Sequence, residues 1–170
     1  MILSFRGKAP RIHETCFIAD NATIAGDVDI GENSSVWFGA AIRGDLGPVR
    51  IGKGSSVQDN CVIHTDPGRP AFIGDGVSLG HGVVVHGATV KSDCIIGIGA
   101  VLLNGCEIGE GSIVAAGAVV KEGEKMPPAS LVVGVPGKVV RQLTDDDVKK
   151  IKENAAEYVK LGAEYRKMIL

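Results

Sequence analysis

Apolar, mostly β-branched residues return at every sixth position along this chain, and no feature limits its possible folds more. Ile12, Ile18, Ile24, Ile30, Val36 and Ile42 follow one another without a break. After a three-residue insertion the ladder resumes at Ile51, Val57 and Ile63, and after a four-residue insertion at Ile73, Leu79 and Val85. One shorter step of five leads to Val90, then to Ile96, Leu102, Ile108, Val114 and Val120. Eighteen rungs make six coils if each coil has three sides. An amphipathic helix repeats its apolar face every three or four residues, so a period of six excludes one. Short strands separated by corners and wound into a solenoid fit it.

A second column supports the register. Four residues after successive rungs stand Cys16, Ala22, Val28, Ser34, Ala40, Ser55, Cys61, Val77, Val83, Thr89, Cys94, Ala100, Cys106, Ser112 and Ala118, all small or β-branched. All four cysteines fall in this column, which reads as inward packing at tight corners rather than thiol chemistry. Glycine often follows a rung, as at Gly31, Gly52, Gly74, Gly80, Gly97 and Gly109, where it tolerates unusual backbone angles.

Composition narrows the function classes. Aromatic residues make up only 4% of the chain and glycine contributes 24 residues, so the core must come from Ile, Val and small side chains. The net charge of −2 and the absence of a basic stripe argue against nucleic-acid binding. The apolar stretch after Met1 is too short for a signal-peptide core, and no run approaches the roughly 20 apolar residues of a membrane span. A cytoplasmic protein is expected. No Cys-x-x-Cys pair occurs, so zinc fingers, redox motifs and a disulfide framework are not expected.

Residues 1–141 are read as the solenoid domain, closed by the segment Gly134–Arg141, and 142–170 as a C-terminal helix. Thr144 is a suitable N-cap, and Asp145, Asp146 and Asp147 favour the positive end of a helix dipole. Val148, Ile151, Ala155, Tyr158, Gly162, Tyr165 and Ile169 form one apolar stripe, expected to pack along the solenoid or across a subunit boundary.

Counting rungs in threes assigns each to a face. Ile24, Ile42, Ile63, Val85, Leu102 and Val120 share one, here face A, whereas Val57 and Leu79 lie on another, face C. Residues beside an inward rung point outward. His64 follows Ile63 and His86 follows Val85, so the two imidazoles occupy one outward column on consecutive coils, with Arg43 below them. Stacked strands lie about 4.7–4.9 Å apart, which lets both rings reach one ion through metal–nitrogen bonds of about 2.0–2.1 Å. His81 stands two residues after Leu79 on face C, directly above Asp59, with Gln58 beside Asp59. It points away from His64 and His86 and could complete their site only from a neighbouring copy. Face A of one copy against face C of the next closes a ring of three, so the stacking suggests a homotrimer with metal between subunits. In that arrangement Asp59 approaches the Arg43 column across the same boundary, where an Arg–carboxylate pair could form. His13 reads as solvated surface, and Arg43–Gly44–Asp45 as a structural Arg/Asp pair rather than an adhesion tripeptide.

These residues also resemble a known group. Arg43–Gly44–Asp45, the run Val57–His64, Leu79–Gly80–His81 and Val85–His86–Gly87, with the spacing H-x16-H-x4-H, resemble the γ-class carbonic anhydrase family, whose short-loop members include ferripyochelin-binding-protein-like proteins. The hexapeptide pattern likewise resembles proteins whose coils form left-handed parallel β-helices. The resemblance implies Zn2+ or Fe2+ held by His64 and His86 of one subunit and His81 of the next. It further implies intersubunit Arg43–Asp59 ion pairs supported by Asp45, a metal-bound water oriented by Gln58, and Tyr158 as the active-site tyrosine. The implied reaction is hydration of carbon dioxide to bicarbonate. The chain departs from the family's long-loop branch: after His64 it carries only the short loop Thr65–Pro70, and Leu46 follows Asp45, so that branch's proton-moving glutamates have no counterpart. The competing classes are a hexapeptide acyl-CoA transferase or thioesterase, which the Gly134–Arg141 segment also resembles, and a non-catalytic metal- or siderophore-binding or scaffold protein.

Overall fold

The computed structural model describes residues 1–169; Leu170 and the side chain of Ile169 lie outside the described residues. Each six-residue step lays down a short strand, and strands of successive coils pair in parallel at the register expected from the ladder. On face A, Ile24, Ile42, Ile63, Val85, Leu102 and Val120 stack in order. Face B carries Ile12, Ile30, Ile51, Ile73, Val90 and Ile108. Face C carries Ile18, Val36, Val57, Leu79, Ile96 and Val114. Nearly all these rungs are buried and, with the second inward column, form one continuous core.

The ladder runs further than the β-branched pattern shows. Met126 extends face B and Val132 extends face C, both at the regular spacing of six, and Ile2 pairs below Ile24 at the other end of face A. The strand Lys138–Gln142 then turns back antiparallel on Ser130–Val133.

Two details of the repeat differ from the sequence reading. Thr89 is not an inward residue: it pairs sideways with Phe72 and Glu107, and Ala88 is the buried one. The five-residue step removes one position from that corner, so the inward place falls three residues after Val85 instead of four. The glycines after rungs also serve another purpose than expected. Gly74 and Gly97 keep ordinary backbone angles, but a Cβ there would lie 2.5 Å from the backbone nitrogens of Ser92 and Ala116 on the next coil. They permit close stacking of coils. The left-handed angles belong mostly to turn glycines two residues further on, such as Gly76 and Gly99.

The helix Asp145–Ile169 packs along the lower part of face C. Thr144 and Asp147 cap it reciprocally: Asp147 N–H donates to Thr144 Oγ1 at 3.3 Å and Thr144 N–H donates to Asp147 Oδ2 at 3.0 Å. Of its apolar stripe, Ile151, Ala155 and Gly162 are buried and Val148, Tyr158 and Tyr165 partly so. Five of the chain's seven aromatic residues gather at this seam, with Trp37 5.0 Å from Phe17 and 5.1 Å from Tyr165 between ring centres. The few large rings are thus used where the helix meets the solenoid. Among the described residues no helix is long and apolar enough to cross a membrane.

Candidate metal centre

The residues singled out from the sequence divide between two edges of the prism. Arg43, Asp45, His64 and His86 gather where the chain leaves face A for face B; Gln58, Asp59 and His81 gather where it leaves face C for face A, and Tyr158 stands beside them.

At the first edge, parallel pairing sets His86 directly over His64. His64 Nδ1 lies 3.2 Å from His86 Nε2. Each ring's remaining nitrogen faces an acceptor: His64 Nε2 lies 2.9 Å from Asp45 Oδ1, and His86 Nδ1 lies 3.2 Å from Asn104 Oδ1. Burial works against charge on Asp45, but the His64 hydrogen bond and the adjoining Arg43 guanidinium outweigh it and hold the carboxyl below its ordinary range. Asp45 therefore accepts only, and its partner nitrogen on His64 carries the proton. With both outer nitrogens donating, both inner nitrogens present lone pairs toward each other, a donor set that a metal ion can take up. Two ligands at about 2.0–2.1 Å from a tetrahedral ion stand about 3.3 Å apart, so the observed separation fits chelation of one ion.

At the second edge, His81 Nδ1 lies 2.8 Å from Asp59 Oδ2, which leaves Nε2 facing outward on a ring with 49% of its side-chain surface exposed. Gln58 is buried, only 5% exposed, and its side chain makes no hydrogen bond to a described residue. Tyr158 stands edge-on to Trp37 at 5.8 Å; desolvation, aided by the Asp59 and Glu157 charges, pushes its phenol above the usual value.

Within one chain the two edges do not meet. Among the described residues no group of three or more His, Cys, Asp or Glu side chains is gathered to hold a metal. Arg43 pairs within the chain with Asp45 rather than with Asp59, whose carboxylate is engaged by His81. His13 is exposed, and its ring bonds locally, to Thr15. Sequence reasoning missed Asn104 and Asp66. Asn104 Nδ2 donates to Asp66 Oδ2 at 2.8 Å, so the short loop after His64 supplies an acid to this edge after all. The four cysteines are buried free thiols, as their column suggested.

A three-sided parallel solenoid of six-residue steps, with paired histidines on one edge, defines a hexapeptide-repeat protein whose coils wind left-handed. The family described as "Bacterial transferase hexapeptide (six repeats)" matches residues 9–44 and 87–122. A protein named probable carbonic anhydrase from Methanocaldococcus jannaschii is 59% identical over 145 residues, covering 85% of this chain and 91% of that one. One named carbonic anhydrase from Geobacillus kaustophilus is 46% identical over 166 residues, covering 98% and 91%. The crystal structure of a hexapeptide transferase family protein from Anaplasma phagocytophilum superposes with a TM-score of 0.93 at 34% identity, covering 96% and 97%. The chain belongs to the γ-class carbonic anhydrase family of hexapeptide-repeat proteins.

Proposed function

We propose that this protein is a metal-dependent carbonic anhydrase, interconverting carbon dioxide and bicarbonate at three-histidine sites shared between the subunits of a homotrimer. The observation that carries the reading is the pair of imidazole nitrogens 3.2 Å apart with both outer nitrogens committed to acceptors.

His64 through Nδ1 and His86 through Nε2 offer two ligand atoms, and His81 of a neighbouring copy offers a third through Nε2. Face A lies between the two edges, so a ring closed through both turns this face toward the threefold axis. Its outward residues Ala41, Val62, Val84, Val101 and Val119 are apolar and suit burial there. When bound between three neutral imidazoles, zinc or ferrous iron supplies undiminished Lewis acidity that makes water a nucleophile at neutral pH. Asp45, Asn104 and Asp59 each hold one ring in place through its outer nitrogen. Gln58 brings an unengaged amide to the edge that carries His81, suited to orienting water or the linear substrate, and Tyr158 screens that edge from solvent. Arg43 fixes Asp45 and lies within reach of a neighbour's Asp59 once the ring closes.

A second reading, acyl transfer from a coenzyme A ester, rests on the description of the Anaplasma relative as a transferase. The test is metal analysis of anaerobically purified protein together with stopped-flow carbon dioxide hydration. The expected result is about one zinc or iron per chain and hydration that disappears in His81→Ala while the far-ultraviolet dichroism is kept. A metal-free wild-type protein that stays inactive with added zinc or iron would overturn the proposal.

A further inference from the structure

His86 differs from the other two histidines in what holds it. Asp45 faces His64 and Asp59 faces His81, both carboxylates, but the outer nitrogen of His86 meets the amide of Asn104. A carboxylate can only accept; an amide can present either its oxygen or its NH2. The two orientations have opposite effects. Oxygen toward His86 draws the ring proton to Nδ1 and leaves a lone pair on Nε2, facing His64. NH2 toward His86 would draw the proton to Nε2 and close that lone pair.

Asp66 decides between them. Asn104 Nδ2 donates to Asp66 Oδ2 at 2.8 Å, a contact that a reversed amide would replace with two facing oxygens. Asp66 Oδ2 is itself 3.9 Å from His86 Nδ1, too far for a hydrogen bond, so its influence passes through Asn104. Both partners are held. Asp66 begins a tight turn in which Arg69 N–H donates back to its carbonyl at 2.9 Å, with Gly68 in the left-handed region. Gly87, next to His86, leaves the space that the Asn104 side chain fills: a Cβ there would collide with Asn104 Oδ1 and stand 3.0 Å from Arg69 Cβ.

We propose that Asp66 and Asn104 form an orientation relay that fixes His86 as the Nδ1-protonated tautomer and so keeps Nε2 open for a metal ion. Asn104 is a positioning residue acting through His86, and Asp66 one acting through Asn104. The inference rests on reading His86 as a metal ligand. It also gives the loop Thr65–Pro70, which lacks the long branch's glutamates, a definite task.

The test uses the full chain and zinc. Long-range 1H–15N correlation on metal-free protein reads the tautomer of His86, assigned by its loss in His86→Gln. Competition with a chromophoric chelator reads zinc affinity. Wild type should show the proton on Nδ1. Asn104→Leu should lose that preference and bind zinc about 10–100-fold more weakly, the usual effect of removing a partner behind a metal ligand. Asp66→Ala, a change on an exposed turn, should move both readouts the same way by a smaller factor, and it serves if Asn104→Leu fails to fold. The double variant Asn104→Asp with Asp66→Asn keeps an acceptor on His86 and a donor behind it, and should restore both readouts. Retention of the Nδ1 proton in Asn104→Leu and Asp66→Ala, or a swap that restores neither readout, would overturn the relay. A wild type that binds no zinc would instead count against the metal-site reading, and the metal-free tautomers would still decide the relay.

Discussion

The division of the site between two edges makes a quantitative prediction about mixed assemblies. His64→Ala breaks the edge where faces A and B meet, and His81→Ala breaks the edge where faces C and A meet. Neither change removes a rung: His64 has 15% and His81 49% of the side-chain surface exposed, and each stands beside an inward residue rather than in its place. Coil stability should therefore change little, by under about 0.5 kcal/mol for the more exposed His81. On the proposed shared-site reading, every boundary in a pure trimer of either variant lacks a ligand. If the two chains are unfolded together at equal concentration and refolded, a boundary is complete only when a His81→Ala subunit supplies its intact His64/His86 edge and a His64→Ala subunit supplies its intact His81. Random assembly gives that ordered pair at about a quarter of boundaries, taking each open site to need all three histidines. Zinc content after dialysis, and any hydration rate, should recover to about that fraction of wild type. Native mass spectrometry would establish that mixed trimers formed. Mixed trimers with no recovered metal would refute the placement of His81 on a separate edge.

Other consequences concern the solenoid itself. Burial pushes the thiols of Cys61 and Cys94 up to about 11 and that of Cys106 up to about 12. Because the thiolate is the reactive form, native protein at pH 8 should resist iodoacetamide at these three sites and label fully only in denaturant, as peptide mass mapping would show. Gly97→Ala places a Cβ 2.5 Å from the Ala116 nitrogen and should cost about 1–3 kcal/mol by forcing coils apart, read as a lower denaturant midpoint. Among the described residues the buried Ser56 hydroxyl, beneath the helix, has no hydrogen-bond partner, so Ser56→Ala should be neutral or stabilise by up to about 1 kcal/mol in the same assay.

What could be read from the sequence, and what could not, follows from how a repeat propagates information. Inside the ladder, counting in sixes is a coordinate system, so the stacking of His86 on His64 and of His81 on Asp59 was legible: each pair shares an offset from rungs one coil apart. Asn104 escaped because it stands two residues after Leu102 whereas His86 stands one after Val85; the contact runs diagonally around a corner, where the Cα count places Leu103 over His86. Asp66 escaped for a different reason. It lies in an insertion, where the count stops and only backbone geometry, the Asp66–Arg69 turn, says where a side chain ends up. Thr89 was misplaced by the same kind of interruption, a missing residue instead of added ones. Met126 was overlooked because the period persisted while the residue type changed. The aromatic seam under the helix joins Phe17 and Trp37 to Tyr165, far apart in sequence, and no short-range pattern links them.

The outward column on face A has a further consequence. Ala25, Arg43, His64 and His86 occupy equivalent places on successive coils, while Ile24, Ile42, Ile63 and Val85 beside them are fully buried. Letters of the chemistry and letters of the scaffold alternate along the same strand. A column behaves as a row of sockets about 4.8 Å apart, each filled without displacing the buried rung beside it. On the shared-site reading, moving the ligand pair up one socket leaves the buried rungs in place and shifts only the height along that edge at which a neighbouring copy would present its own group. In this architecture the candidate chemistry is written in a handful of outward positions, and the coil count is the ruler along which they are measured.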